Sequence, residues 1–337
     1  MTLRVEEAAI EPDRPIVDPH LHLWDIPAVE GLPQEPQTFL LRDAARTLEA
    51  CGHRITHTVF VECHAMYRAH GAPELQSLGE TEFANGTAAM SASGGYGPTR
   101  ISHRIVGNVD LCRGDRVEAL LERHCAAAGE RFRGVRMNTA YSPAGLFGGP
   151  AEPAARDRID DPRFVEGCRI LARMGLSLDV WCLHPQLEQL VRLADRVPGL
   201  TIVLDHLGTP DLRGDYASRE DEAIAQWERK LTQLAERPNT RIKLSGQGMD
   251  VATLLGASTG TATSNELAEH WQARICAGIE AFTPARSMFA SNFPPDQSAG
   301  SYGTIWNAFK KIAARFSEEE QDWLFRGTAT EVYAIDT

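Results

Sequence analysis

The sequence predicts an α/β fold, a single (β/α)8 barrel. Three observations carry the prediction. Eight short apolar strands alternate with helical patterns, which implies parallel pairing through βαβ units. The length of 337 residues suits one large barrel. No Gly-rich dinucleotide fingerprint follows any strand, which weighs against an open doubly wound sheet. Residues 1–14 read as an N-terminal extension and 15–337 as the barrel domain, with no repeat or internal boundary.

The elements follow in order. Residues 15–24 form the first strand, ending in His20-Leu21-His22. A polar, Pro-rich loop covers 25–37, and Leu40, Leu41, Ala44, Ala45 and Leu48 give 39–51 a helical period. The second strand, 56–62, is rich in β-branched and aromatic residues, and 74–92 reads as a helix weakened by Gly79 and Gly86. Gly94, Gly95 and Pro98 break it before the third strand at 104–110. An amphipathic helix at 116–128 leads to the fourth strand at 132–138 and a long Gly/Pro/Ala loop, 139–160. Loops of that length in compact domains are usually functional. A helix at 164–174 is stopped by Gly175, and the fifth strand is 176–182. Pro185 opens the helix 186–196, and 200–205 is the sixth strand. The helix 219–235, the seventh strand at 240–245, a Gly/Thr/Ser-rich stretch at 246–264 and the helix 265–282 come next. The eighth strand is 287–291, and helices at 302–315 and 317–327 close the chain.

Composition narrows the function. With 34 basic against 46 acidic side chains, the net charge of −12 opposes nucleic-acid binding and a basic membrane-surface patch. No segment approaches a transmembrane span, and residues 1–14 lack the basic start and apolar middle of a signal peptide. The seven cysteines are scattered without a Cys-x-x-Cys pair, so reduced thiols in a cytoplasmic protein are expected, packed as small hydrophobes. A small-molecule substrate is the expected partner, with homo-oligomerisation left open.

Barrel function gathers at the C-terminal ends of the strands. There the sequence places His20, His22, Glu62, His64, Asp110, Arg136, Asn138, His184, His206, Ser245, Asn292 and Asp296. His20 and His22 share a strand face because side chains two apart point the same way. Of the eleven histidines, His20, His22, His184 and His206 fall at the ends of strands one, five and six. Neutral imidazoles ligate a metal or accept a proton, and charged ones donate to an oxyanion. A metal on His20 and His22 with His184 or His206 would bring bound water to a pKa of about 7. Without metal, the same histidines and Arg136 polarise a carbonyl directly. Arg136 is either a bidentate clamp on a substrate carboxylate or an internal ion pair. Glu62 either binds substrate or orients a histidine, whereas His64 reads as surface. Asp205 is expected to point away from His206 and brace the barrel. Trp24 and Trp181 read as packing residues, Trp24 also as a pocket wall.

The stretches Val17-Asp18-Pro19-His20-Leu21-His22-Leu23-Trp24, Gly134-Val135-Arg136, Leu204-Asp205-His206-Leu207-Gly208 and Phe289-Ala290-Ser291-Asn292-Phe293-Pro294 fall in barrel order. With the tail 324–333, they make the chain resemble the amidohydrolase superfamily. The resemblance is to its amidohydrolase-related (amidohydrolase 2) group of lactonase-like, metal-dependent hydrolases. It covers nearly the whole chain and implies a distorted barrel. It also implies one or two divalent metals on strand-end histidines and an aspartate base at strand eight. Two departures stand out. Strand four offers no bridging lysine or glutamate, so at most one metal is expected, with zinc best suited and a metal-free route open. Asn292 occupies the aspartate position, and an amide cannot accept a proton as a base.

The expected site therefore has His206, Asp296 and His184 as catalytic residues. Arg136, Glu62, Asn292 and Trp24 contact the substrate, and His20, His22 and His184 hold the metal. Asp296 replaces the missing base if the Pro294-Pro295 turn folds it over the mouth. The expected activity is opening of a lactone, or of a related cyclic ester or amide, on a carboxylated or sugar-acid substrate. A metal-dependent decarboxylase and a non-catalytic binding protein are the alternatives.

Overall fold

A computed structural model describes residues 7–26, 37–147, 149–249 and 262–336. Residues 1–6 of the expected extension, and much of the expected mouth loops 25–37 and 246–264, lie outside these. Eight strands form one parallel sheet in chain order: β1 (Ile16–Leu21), β2 (Ile55–Val61), β3 (Arg100–Gly107), β4 (Phe132–Asn138), β5 (Ser177–Trp181), β6 (Ile202–Leu204), β7 (Thr240–Leu244) and β8 (Ser287–Phe289). The last pairs back toward the first at Leu21 and Phe293, where His22 N–H donates to the Phe293 carbonyl at 2.9 Å. This is the predicted (β/α)8 barrel, nearly closed.

Alternation along the strands sorts two cores. Ile16, Phe60, Ile105, Leu178, Leu204 and Leu244 point outward against the helices. Val17, Val59, Val61, Val106, Val203 and Met288 point inward, where Tyr333 and Ile335 of the C-terminal segment fill the barrel floor. Gly134 has a steric reason: a Cβ there would lie 2.2 Å from Ser177 Oγ on the neighbouring strand.

The helices are α1 (Leu41–Ala50), α2 (Leu78–Ala92), α3 (Val117–Ala128), α4 (Pro162–Arg173), α5 (Leu187–Arg196), α6 (Glu220–Ala235), α7 (Ser264–Phe282), α8 (Tyr302–Ala313), α9 (Glu318–Asp322) and α10 (Thr328–Tyr333). Local chemistry sets several starts. Asp161 caps α4 ahead of Pro162, and Thr263 with Glu266 forms a capping box on α7. None of the helices among the described residues is long and apolar enough to cross a membrane. Residues 10 and 11 lie against α8, where Lys310 Nζ donates to the Ile10 and Glu11 carbonyls, both at 2.8 Å.

Two expectations need correction. Phe39 does not open the helix expected at 39–51, which starts at Leu41, and the expected loop 25–37 is not wholly irregular: Gln37–Phe39 pairs antiparallel with Trp24–Ile26 in a ribbon beside the mouth. The last helix does not run unbroken through 317–327, because a π-type turn over Trp323–Gly327 separates α9 from α10.

A buried carboxylate fastens the seam between β1 and β8. Asp18 accepts from Ser291 N–H (3.0 Å), Ser291 Oγ–H (2.6 Å) and Tyr302 O–H (2.9 Å). Burial pushes this carboxyl up, against the pull of those donors. Asp18→Ala leaves buried donors unpaired, so urea denaturation is expected to show a loss of at least about 3 kcal/mol.

Candidate functional site

The inward positions at the C-terminal strand ends carry a linked set of ionisable groups. Lys243 sits on β7 between the outward Ile242 and Leu244 and is fully buried. Its Nζ lies 2.6 Å from Asp179 Oδ2 of β5 and 3.2 Å from Asp205 Oδ1, and meets His20 Nδ1 at 3.1 Å. Asp205 in turn faces His20 Nδ1 and Arg136 Nε, each at 3.5 Å. Arg136 Nη1 reaches Glu62 Oε1 at 3.2 Å, and Glu62 Oε2 lies 3.4 Å from His64 Nδ1. Tyr333 O–H donates to Asp179 at 2.7 Å, tying the floor of the barrel to its mouth.

The histidines converge above this set. His20 Nε2 and His22 Nε2 are 3.1 Å apart, and His22 Nδ1 lies 2.8 Å from the Val61 carbonyl. That carbonyl can only accept, so His22 carries its proton on Nδ1 and leaves Nε2 as a lone pair. His206 Nδ1 bonds Ser245 Oγ at 2.9 Å, and its ring centroid is 4.7 Å from that of His20. Burial holds all three imidazoles neutral. It lowers His206 to about 3, with Arg136 adding to the effect, and His22 to about 4, again with Arg136 adding; His20 falls well below its ordinary value through burial and the Lys243 charge. Burial also pushes against ionised Asp205, yet Lys243 beside it, with His20, holds that carboxylate well below the usual range.

Ligand atoms of His20, Asp205 and His206 fall within 4.8 Å of one another, the one three-donor cluster of this kind among the described residues. Neither Asp205 oxygen makes a hydrogen bond. Neutral nitrogens with a charged carboxylate oxygen are a donor set that fits one divalent cation. The cluster lies at the base of a cavity of about 590 Å³ lined by His22, Trp24, Arg136, Trp181, His206 and Asn292, among others. Trp24 stacks on His22 at 6.0 Å, and Trp181 meets His206 edge-on at 6.1 Å.

The structure therefore gathers His20, His22, Glu62, Arg136, His206, Asn292 and Trp24 at the mouth, and it corrects three expectations. His184 is not part of the cluster. The β5 side chain at the cavity is Trp181; His184, three residues on, cross-links loops. Its N–H donates to Thr209 O (3.0 Å), its Nδ1 accepts from Asp211 N–H (2.9 Å), and its ring packs on Tyr216. Asp296 does not fold over the mouth. It is buried beneath it, accepting from Gly246 N–H and Asn292 Nδ2, both at 2.9 Å; burial raises its pKa to about 7 despite those bonds. Asp205 does not brace the outside of the barrel. His206 (φ +54°) and Leu207 (φ +60°) leave the strand conformation, so alternation ends at Asp205 and both it and His206 reach the site. Gly246 (φ +73°) makes room for this, since a Cβ there would lie 2.6 Å from the His206 ring.

Sequence reading also missed Lys243 and Asp179. Each is an ionisable residue flanked by two outward apolar neighbours in a strand, a pattern that marks an inward charge.

The amidohydrolase family profile matches residues 17–335. The chain belongs to this family. Membership supports a hydrolytic enzyme acting on a small molecule. Sinorhizobium fredii y4mH is 30% identical over 337 residues, spanning 96% of this chain and 99% of that one. An L-fucono-1,5-lactonase of Burkholderia multivorans is 30% identical over 232 residues, 68% of this chain and 71% of the relative. A zinc-bound amidohydrolase crystal structure, also from Burkholderia multivorans, superposes with a TM-score of 0.72 at 26% identity, covering 95% of this chain and 99% of that one.

The buried imidazoles set an acid dependence. An unfolded histidine takes a proton near 6.5, whereas folded His206 resists it to about 3 and His22 to about 4. Their stabilising contribution is thus present above 6.5 and lost as pH falls toward those values. Asp296 works in the opposite sense, its contribution present below 3.8 and lost as pH rises through about 7. Urea denaturation of chelator-treated protein should show stability falling from pH 6.5 to 4. His206→Gln should flatten that slope by up to about 1.4 kcal/mol per pH unit.

Proposed function

We propose that this chain is a lactonase-like hydrolase that opens a lactone, or a related cyclic ester or amide, of a carboxylated or sugar-acid compound. The observation that carries the reading is the convergence of three neutral histidines and Arg136 at the base of an aromatic-walled cavity. The Burkholderia multivorans lactonase supports the substrate class, and the zinc of the related structure supports one divalent metal, zinc being best suited to N/O donors.

His20, His206 and Asp205 would hold that ion, with His22 beside them. When bound, it supplies Lewis-acid polarisation of the carbonyl and acidifies water. The protein's own groups do the rest. Arg136 is fixed by Nη1, which donates to the Glu62 carboxylate and carbonyl, while its Nε faces Asp205 at 3.5 Å without a hydrogen bond. Nη2 makes neither contact and is the donor left for a substrate carboxylate or for the developing oxyanion. Lys243 anchors His20 and Asp205 from below, so neither side chain must reorganise during the reaction. Trp24 and Trp181 flank a ring-sized substrate and exclude water from its faces. Asn292, held by Asp296, points an amide and not a base into the cavity.

A panel of sugar-acid and carboxylated lactones, followed with a pH indicator, should show proton release as each ring opens. Arg136→Lys keeps the charge but loses the fork, and KM for a carboxylated substrate should rise roughly tenfold or more. Silence across lactones, cyclic esters and cyclic amides would sink the proposal. Carbon dioxide release from aromatic or unsaturated acids would instead assign a decarboxylase.

A further inference from the structure

Asn292 leaves the mouth without an obvious group to deprotonate water. Asp296 is buried and bonded to Gly246 N–H and the Asn292 amide. Asp205 is neutralised by Lys243 and Arg136. His22 and His206 also line the cavity, but both are buried beside the metal-ligand cluster; among the described residues, the cavity-lining imidazole that is open to solvent and backed by a carboxylate is His64. His64 lines the same cavity as His22, Arg136 and His206. Its side chain is 58% exposed, so water and substrate reach it, while the carboxylate behind it, Glu62, is fully buried. Glu62 Oε1 takes Arg136, and Oε2, with no hydrogen bond of its own, lies 3.4 Å from His64 Nδ1. The pair is within ion-pair reach without a formed hydrogen bond, and catalytic hydrogen bonds often tighten only once substrate is bound.

The backbone behind His64 is held with unusual firmness. His64 (φ +62°) and Met66 (φ +56°) are both left-handed, a conformation that persists only where surroundings impose it. The imposition comes from Glu80 on α2, whose Oε1 accepts from Cys63 N–H and Ala65 N–H, both at 2.9 Å. Glu80 is itself buried, and burial with nearby Glu62 pushes its carboxyl up. Gly79 adds close contact: a Cβ there would meet the Met66 carbonyl at 2.5 Å and Arg68 N at 2.9 Å. A surface histidine needs no such support.

We propose that His64, oriented by Glu62, is the general base of this site, acting from the end of β2, one strand removed from the position that Asn292 occupies beyond β8. The proposal rests on the hydrolase reading above. Glu62 accepts Nδ1–H and leaves Nε2 as the lone pair on the cavity. As the water oxygen bonds to the lactone carbonyl carbon, Nε2 takes its proton and the C=O π pair moves onto the carbonyl oxygen. On collapse that pair re-forms the carbonyl, the ring C–O bond breaks with its electrons on the ring oxygen, and Nε2–H returns the proton there. Water is consumed, nothing is oxidised, and His64 ends neutral. Glu62 is a positioning residue that stabilises the transient imidazolium.

The test uses the full chain with His64→Ala, His64→Gln and Glu62→Gln. Both His64 variants should lose about 10²- to 10³-fold in kcat with KM changed by less than about threefold. Imidazole in the buffer should restore part of the His64→Ala loss, which a merely structural defect does not allow. Glu62→Gln should lower kcat by about tenfold or more. A His64→Ala enzyme with wild-type kcat overturns the assignment. If the wild type opens no lactone, ester or amide, the hydrolase reading fails, and 15N NMR still decides the dyad. His64 should be the Nδ1–H tautomer in the wild type and a mixture in Glu62→Gln. An Nε2–H tautomer in the wild type overturns it.

Discussion

The mouth of this barrel depends on one buried carboxylate that two cations and a histidine share. Asp205 has no exposure, yet it faces Lys243, Arg136 and His20 at 3.2 to 3.5 Å. Each partner reaches it from a different strand: Lys243 from β7, Arg136 from β4 and His20 from β1. Removing water from such charges is costly unless they are paired, and breaking one pair strands the others. The arrangement therefore ties the ends of β1, β4 and β7 to one carboxylate. It also places two immobile positive charges beside the histidines, where a carbonyl oxygen becomes negative during hydrolysis.

The strands deliver these groups by giving up strand geometry where they end. His64, His206, Leu207 and Asn292 all have positive φ. Each lies just beyond a strand terminus, and each reverses the alternation that would otherwise send neighbouring side chains to opposite faces. Asp205 and His206 reach one site for this reason, and His64 returns toward Glu62 for the same one. Non-glycine residues in this conformation cost about 1 to 3 kcal/mol each, so the supporting contacts must outweigh them. Glu80 beneath His64, Asp296 beneath Asn292 and Ser245 beside His206 are those contacts.

This explains what was legible in the sequence. The eight strands were readable because each is a short apolar run bounded by turn residues, and the His20-Leu21-His22 pair followed from simple alternation. Asp205 was misplaced because alternation was carried one residue beyond where the backbone obeys it. The apolar run carries β5 on to Cys182 and so puts His184 at the mouth, whereas the strand ends at Trp181, whose indole meets His206 instead. Lys243 and Asp179 were overlooked because their strands read as apolar on composition, while their inward charges become apparent only when each position is assigned a face.

The charge balance of the mouth bears on why an amide stands at position 292. Among the described residues, Glu62, Asp179 and Asp205 face two cations, Arg136 and Lys243, in one buried network. Burial pushes Asp179 up while Lys243 and His20 hold Asp205 down, so the two carboxylates on one lysine are driven apart. The ionised Asp205, with His20 and His206, is the part of this network that fits a divalent cation. A further carboxylate at 292 would lie against Asp296, which burial already raises to about 7. An amide there bonds Asp296 and adds no charge to the cavity. On these grounds the proton acceptor belongs at the end of β2, where Glu62 Oε2 lies 3.4 Å from His64 Nδ1.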